Sequence, residues 1–271
     1  MLSLDVAIST HGENGILKVE KMIPREKEGV RYIVSWQNYE NGTIPETLQA
    51  RKDVEIYKLD KKGLSNNRNN AIDHCRSDIV LIADDDLEYQ EGFETIILDE
   101  FKKRSSMDLA VFKVNFLREK KYPSSDCCLK LPYPKNFYVT SMEIAFRRKS
   151  IGNLRFFPEL GLGSEKMFAG EEEFFLFSAI KRGLNCFFIN KYICSHPTET
   201  TGDKSSEGIL MGMGFVISLI YPWSAGLRIL LKGWRVSKKG KMSFPAALKA
   251  LIRGAWRRKR TFKQIPPQYR W

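Results

Sequence analysis

The sequence predicts an α/β fold, with a mostly parallel central sheet flanked by helices and a helical, basic extension at the C-terminal end. Three observations carry this reading. Short apolar runs alternate with helix-like stretches through residues 1–115. One run, Ile79-Val80-Leu81-Ile82-Ala83, is apolar throughout, as expected of a central strand buried on both faces. Residues 209–271 carry 14 basic and no acidic residues, which leaves 30 basic against 32 acidic in residues 1–208. The front is a near-neutral body and the back a cationic appendage.

The elements follow in order along the chain. Residues 4–9 read as a first strand and 16–27 as a helix. A second strand occupies 30–36, a short helix 44–50, and a third strand 54–59. Gly63 makes a turn, Ser65 is a good N-cap, and 66–76 continue as a helix. The strand at 79–83 ends abruptly in Asp84-Asp85-Asp86. Residues 91–104 form the next helix and 109–114 the next strand. The stretch 118–138 is polar and broken by prolines, so it reads as loop. A strand at 142–147, a glycine-bearing loop at 158–169, a helix at 171–181 and a strand at 184–190 complete the body, and a loop then carries His196. The body is assigned to 1–205, with an internal division near 115, and the tail to 206–271.

Composition narrows the classes further. An apolar content of 43% excludes a disordered chain. The average charge of +12 would point to nucleic acid, but the body alone is −2, so no nucleic-acid partner is expected for it. Five cysteines are too few for a disulfide scaffold and lack the paired spacing of a zinc site. The first residues have no basic region and turn polar by Ser9, so no signal peptide is read, and a reducing cytoplasm is the expected compartment.

Three aspartates at the carboxyl end of a buried strand are the sharpest chemical signal. Ligands of open α/β sheets collect at that edge. Clustered carboxylates repel one another unless a cation neutralises them, and hard divalent cations take oxygen ligands. The plain alternative is an acidic loop capping the next helix.

Context favours the cation. The chain has Gly63-Leu64-Ser65-Asn66-Asn67-Arg68-Asn69, then Asp84-Asp85-Asp86, then Gly170-Glu171-Glu172 opening a helix. In this order the segments resemble the family 2 inverting glycosyltransferases, which have the Rossmann-like GT-A fold. The resemblance covers roughly residues 2–200. It implies a nucleotide-sugar-binding half at 1–115 and an acceptor half at 116–205. It also implies Asp84 and Asp86 as the outer members of an Asp-x-Asp motif. Asp84 would face the ribose and share with Asp86 the Mn²⁺ or Mg²⁺ held on the diphosphate, with Asp85 an alternative register. Arg68 would lie near the nucleotide, or else be a solvated helix residue. Ser9, Thr10 and Gly63 match nucleotide-side positions. The family's usual acidic segment after the second strand is replaced by Ser35-Trp36-Gln37-Asn38. Gln37 is placed to hydrogen-bond the base, and Trp36 either stacks on it or fills the core.

Displacement at an anomeric carbon needs a base on the acceptor hydroxyl. The resemblance points to Glu172, with Glu171 second. Glu173 would already point ~100° further round the helix. The Gly161-Leu162-Gly163 loop is placed to line the acceptor pocket. His196 either completes the metal site or is fixed by a loop hydrogen bond.

The expected function is metal-dependent, inverting transfer of a sugar from a nucleotide-sugar, UDP-linked by preference, to a glycan or lipid-linked acceptor. The rivals are a Mg²⁺-dependent nucleotidyltransferase and a non-enzymatic membrane or nucleic-acid module using the tail. In that tail, residues 208–227 are uncharged but interrupted by four glycines and Pro222. Farther on, Phe244, Leu248, Ile252 and Trp256 recur every four residues beside Lys249, Arg253 and Arg257. This is the pattern of a basic amphipathic helix on an anionic membrane surface, placing the enzyme peripherally on the inner face. The alternative is that both apolar stretches pack against the body.

Overall fold

Alternating side chains on the strands send Val6, Ile8, Leu81 and Ala83 to one apolar cluster and Ala7, Val80 and Ile82 to another. The sheet is therefore buried on both faces, in a computed structural model that describes residues 2–117, 120–134, 137–196, 206–261 and 269. The chain runs β1 (Leu4–His11), α1 (Gly12–Met22), β2 (Val30–Gln37), α2 (Glu46–Gln49), β3 (Val54–Leu59), α3 (Leu64–His74), β4 (Ile79–Asp84) and β5 (Glu88–Tyr89). It continues with α4 (Phe93–Lys103), β6 (Leu109–Phe116), β7 (Cys127–Cys128), β8 (Ile144–Arg147), α5 (Arg148–Ile151), α6 (Glu171–Lys181) and β9 (Cys186–His196). Three helices follow: α7 (Glu207–Ile220), α8 (Ala225–Lys238) and α9 (Phe244–Thr261).

The strand order is β3-β2-β1-β4-β8-β6-β9-β5, with β7 added on β9. Strands β3, β2, β1 and β4 are parallel, β8 is antiparallel to both its neighbours, and β6 and β9 are again parallel. The parallel half places the ends of β1, β2 and β4 at one edge. Side chains of α1 and α4 cover one face, and those of α3, α6 and α7 the other.

Several boundaries differ from expectation for local reasons. Helix α1 begins at Gly12 and stops at Met22, because Pro24 disfavours helical backbone at the residue before it. Helix α3 is capped by Gly63 at φ 102°, not by Ser65, whose hydroxyl instead donates to the Leu160 carbonyl at 2.7 Å. The strand read as 142–147 is a 3₁₀ turn, Ser141–Glu143, followed by β8. The strand read as 184–190 runs on to His196, so that histidine ends β9 and is not in a loop.

The uncharged stretch 208–227 is two helices, α7 and α8, separated at Tyr221 by Pro222. Phe215, Val216, Leu219 and Ile220 of α7 join the same core as Phe174 and Phe175 of α6. Among the described residues, no helix is long and apolar enough to cross a membrane. The glycines have a packing role. A Cβ on Gly214 of α7 would overlap the Leu251 carbonyl of α9, and one on Gly254 would overlap that of Met211. The two helices thus touch backbone to backbone. The inward face of α9 is Ala247, Ala250, Leu251 and Gly254, rather than the stripe of Phe244, Ile252 and Trp256, which is exposed. The boundary placed between 205 and 206 adjoins residues 197–205, which lie outside the described residues, as do 118–119 and 135–136 of the stretch read as loop.

Candidate active site

The three aspartates end β4, and the turn after it spreads them in three directions. Asp84 meets Arg68, Asp85 meets Thr10, and Asp86 meets His196. Each contact joins segments far apart in sequence.

Arg68 is the hub. Its side chain is 2% exposed and lies against the Phe156 ring. One terminal nitrogen, Nη2, donates to Asp84 Oδ1 at 3.1 Å and to Ser141 Oγ at 2.7 Å. The other, Nη1, donates to Glu171 Oε1 at 3.1 Å and Glu172 Oε1 at 3.2 Å. Ser141 also donates to Asp84 Oδ2 at 3.3 Å. Burial works against the guanidinium charge, but Asp84, Glu172 and Glu171 outweigh it and raise the pKa of Arg68. A planar fork suits this work, since it binds carboxylates on two sides at fixed geometry.

The first turn of α6 sorts its glutamates by exposure. Glu171 is buried, whereas the Glu172 side chain is 17% exposed. Burial, and then the charge of Glu172, push the Glu171 carboxyl well above the usual range despite Arg68. Burial, followed by Glu172, also raises Glu173, to about 7. Glu172 and Glu173 are both part-exposed, and of these two Glu172 is the one held by Arg68. Gly161, at φ 95°, packs closely on this turn, and an added Cβ would press on the Glu171 carboxyl at 2.9 Å. Leu64 N–H donates to the Leu162 carbonyl at 2.8 Å, which binds the loop containing Gly161, Leu162 and Gly163 to the start of α3 beside Gly63.

At the end of β1, Thr10 Oγ1 donates to Asp85 Oδ2 at 2.6 Å, and Lys18 stands 3.8 Å from the same carboxylate. Burial raises the pKa of Asp85, while the Thr10 bond and Lys18 oppose this. Asn67 donates to the Thr10 carbonyl at 2.9 Å. Ser9 pairs in register with Asp84 across the sheet and is itself buried. Gln37 is buried and its amide donates to the carbonyls of Lys61 and Gly63. Trp36 is fully buried and donates to the Gly12 carbonyl at 2.9 Å, so of its two readings the core one holds.

Asp86 Oδ1 lies 3.3 Å from His196 Nε2. A carboxylate oxygen and an imidazole nitrogen meeting in this way suit a divalent cation that takes its other ligands from diphosphate and water. Asp84 is already committed to Arg68 and Ser141. Among the described residues, no three His, Cys, Asp or Glu side chains are grouped as a ready-made metal cage. The donor set fits a cation held jointly with its substrate.

Sequence reasoning missed Ser141 and the device behind it. Thr140 and Glu143 form a capping box that sets the 3₁₀ turn, and Lys120 and Tyr122 bond the buried Glu143 carboxylate. The Thr140-x-x-Glu143 spacing is the signal that marks such a turn.

Comparison with known proteins adds the following. The family model for glycosyl transferase family 2 matches residues 25–174. No curated protein matches the chain in sequence. Among solved structures, residues 1–349 of S. aureus TarS superpose with a TM-score of 0.56 at 12% identity, over 96% of this chain and 73% of that one. The same protein in complex with UDP gives 0.58 at 14% identity, over 97% and 92%, and in complex with UDP-GlcNAc 0.56 at 15%, over 80% and 66%. At these identities the likeness is one of fold, the GT-A arrangement of a central sheet between helices.

Proposed function

The chain belongs to glycosyl transferase family 2, and we propose that it moves a sugar from a UDP-sugar to an acceptor hydroxyl with inversion, using a divalent cation. The observation that carries this reading is the convergence on Arg68 of Asp84, at the end of β4, with Glu171 and Glu172, at the start of α6. It brings the nucleotide edge of the sheet and the acceptor-side helix to one buried side chain. UDP as the nucleotide is supported by the complexes of TarS, which shares the fold.

In this reading Ser9, Thr10, Gln37, Gly63, Asp84 and Asp85 surround the nucleotide. Asp86 and His196 would hold the cation, which would supply charge stabilisation to the departing diphosphate. Glu172 accepts the proton of the acceptor hydroxyl as that oxygen attacks the anomeric carbon from the face opposite the diphosphate. Arg68 fixes the orientation of Glu172 and of Asp84. Glu171, buried and with its pKa raised, supports Arg68 and is the weaker candidate for the base. The acceptor is read as a glycan or lipid-linked saccharide. The strongly basic segment 209–271 supports a peripheral position at the cytoplasmic face of a membrane.

The test is a panel of nucleotide-sugars with and without Mn²⁺, read by thermal stabilisation and by release of nucleoside diphosphate. A UDP-sugar should stabilise the protein and be turned over in a cation-dependent way. Stabilisation by no nucleotide-sugar at all contradicts the reading.

A further inference from the structure

Helix α8 wears its apolar stripe on the outside. At ~100° per residue, Leu227, Leu230, Leu231 and Trp234 fall together on one face. All four are exposed, Leu227 by 63% and Trp234 by 53%, and Trp223 in the preceding turn is wholly exposed. The body-facing side of the helix is different, formed by the buried Ile229, Gly233 and Val236. A third stripe, ~100° round from the apolar one, carries the exposed Arg228, Arg235 and Lys239. Lys238 lies over the Trp234 ring at 5.2 Å, and Arg228 over that of Tyr221 at 3.7 Å.

We propose that this outward face of α8, with Trp223, is the surface that seats the enzyme on an anionic phospholipid bilayer. The inference rests on the peripheral attachment proposed above and says which element makes it. Monomeric soluble proteins rarely leave so many large apolar side chains contiguous in water. A helix with leucines and tryptophans on one face and cations beside them is suited to lie in the headgroup boundary.

Charge selects the occupant. Helix α8 has no acidic residue, and the exposed Arg228, Arg235 and Lys239 run beside the stripe, so its flank is cationic. A second copy docking through this face would bring like charges together, whereas anionic headgroups neutralise them. The helix is also well placed for an acceptor anchored in lipid. Helix α8 packs against α7, and α7 against α6, the helix that carries Glu172.

The experiment is co-sedimentation of the full chain with vesicles of phosphatidylcholine alone or mixed with phosphatidylglycerol. Two variants accompany it: Leu227→Ser/Leu230→Ser/Trp234→Ser on α8, and Ile252→Ser/Trp256→Ser on α9. All five side chains are exposed, and thermal melting checks the fold. If the triple variant melts early, Leu230→Glu replaces it. The proposal expects wild type to prefer anionic vesicles, the α8 variant to lose binding by at least ~10-fold, and the α9 variant to stay near wild type. Binding by wild type that the α8 variant fully retains overturns the assignment of α8 while leaving peripheral attachment standing. No binding by wild type removes both. A dimer in solution that dissolves in the α8 variant, without vesicle binding, assigns the face to a second copy and also overturns the proposal.

Discussion

Nη1 of Arg68 donates to Oε1 of Glu172 at 3.2 Å across 104 residues of sequence, joining α3 to the first turn of α6. The same guanidinium reaches Asp84, so one side chain orients groups on both sides of the expected reaction centre. A carboxylate held by a buried cation cannot wander, and Glu172 retains a path to solvent for its proton.

Removing this cation should cost stability as well as activity. Arg68→Met removes the cation that Asp84, Glu171 and Glu172 share, and breaking a buried ion pair from one side costs about 3–5 kcal/mol. Arg68→Lys keeps the charge but not the fork, so it should melt above the Met variant while turnover stays at least ~10-fold below wild type. Thermal melting and turnover of both variants check this. A Met variant as stable as wild type contradicts it.

The cation site predicts a different signature. Asp86→Ala should fold normally, because Asp86 is part-exposed in the turn after β4, whereas His196 is buried at the end of β9 and thermal melting checks His196→Ala. Each should raise the Mn²⁺ concentration needed for half-maximal activity by at least ~10-fold, and Asp86→Ala should be the more severe. Metal titrations of initial rate measure it. Activity in wild type that survives EDTA unchanged would remove the site.

Stability should respond to pH through Glu173. Burial and the neighbouring Glu172 raise its carboxyl to about 7, above the ordinary ~4.3 of an unfolded chain. The folded state therefore holds a proton that the unfolded state has lost. Stability from this group is full below ~4.3 and is lost as pH rises through about 7. Glu173→Gln should thus gain relative to wild type between pH 5 and pH 8, by an amount of order 1 kcal/mol. Melting curves at the two pH values give the difference, and a constant gap between the proteins contradicts it.

The contact of α7 with α9 predicts an ordered set of glycine variants. Gly214→Ala and Gly254→Ala would drive a methyl into a carbonyl of the opposing helix and should cost about 1–3 kcal/mol each. Gly226→Ala, with open space around it in α8, should be neutral or slightly stabilising. Equal melting of all three would show that the helices do not touch this closely.

Much of this architecture is written locally. A strand such as β4, covered on both faces, has to be apolar throughout, and the sequence shows it. The order of Gly63-Leu64-Ser65, Asp84-Asp85-Asp86 and Gly170-Glu171-Glu172 likewise marked the residues that the fold gathers at one edge. What stayed hidden is nonlocal. Ser65 looks like a helix cap, yet its partner is a carbonyl 95 residues away. Strand β9 continues through the exposed Asn190, Lys191 and Tyr192 because β6 pairs with it past a register shift, which no apolar run announces. The bonds of Arg68 depend on Ser141, placed by a capping box around the buried Lys120–Glu143 pair. In the tail, the regular four-residue apolar spacing falls on α9, whereas the exposed stripe is larger on α8, where leucines interleave with basic residues in a less regular pattern.

The central claim is that Glu172 is the base of a sugar transfer from a nucleotide-sugar. The most direct test compares wild type, Glu172→Gln and Glu171→Gln with the UDP-sugar that stabilises the protein best, measuring release of UDP and, by calorimetry, donor binding. Glu172→Gln should lose at least ~10²-fold in turnover while binding donor as wild type does, with Glu171→Gln less impaired. A Glu172→Gln protein that turns over as fast as wild type, beside an inactive Glu171→Gln, would contradict the account.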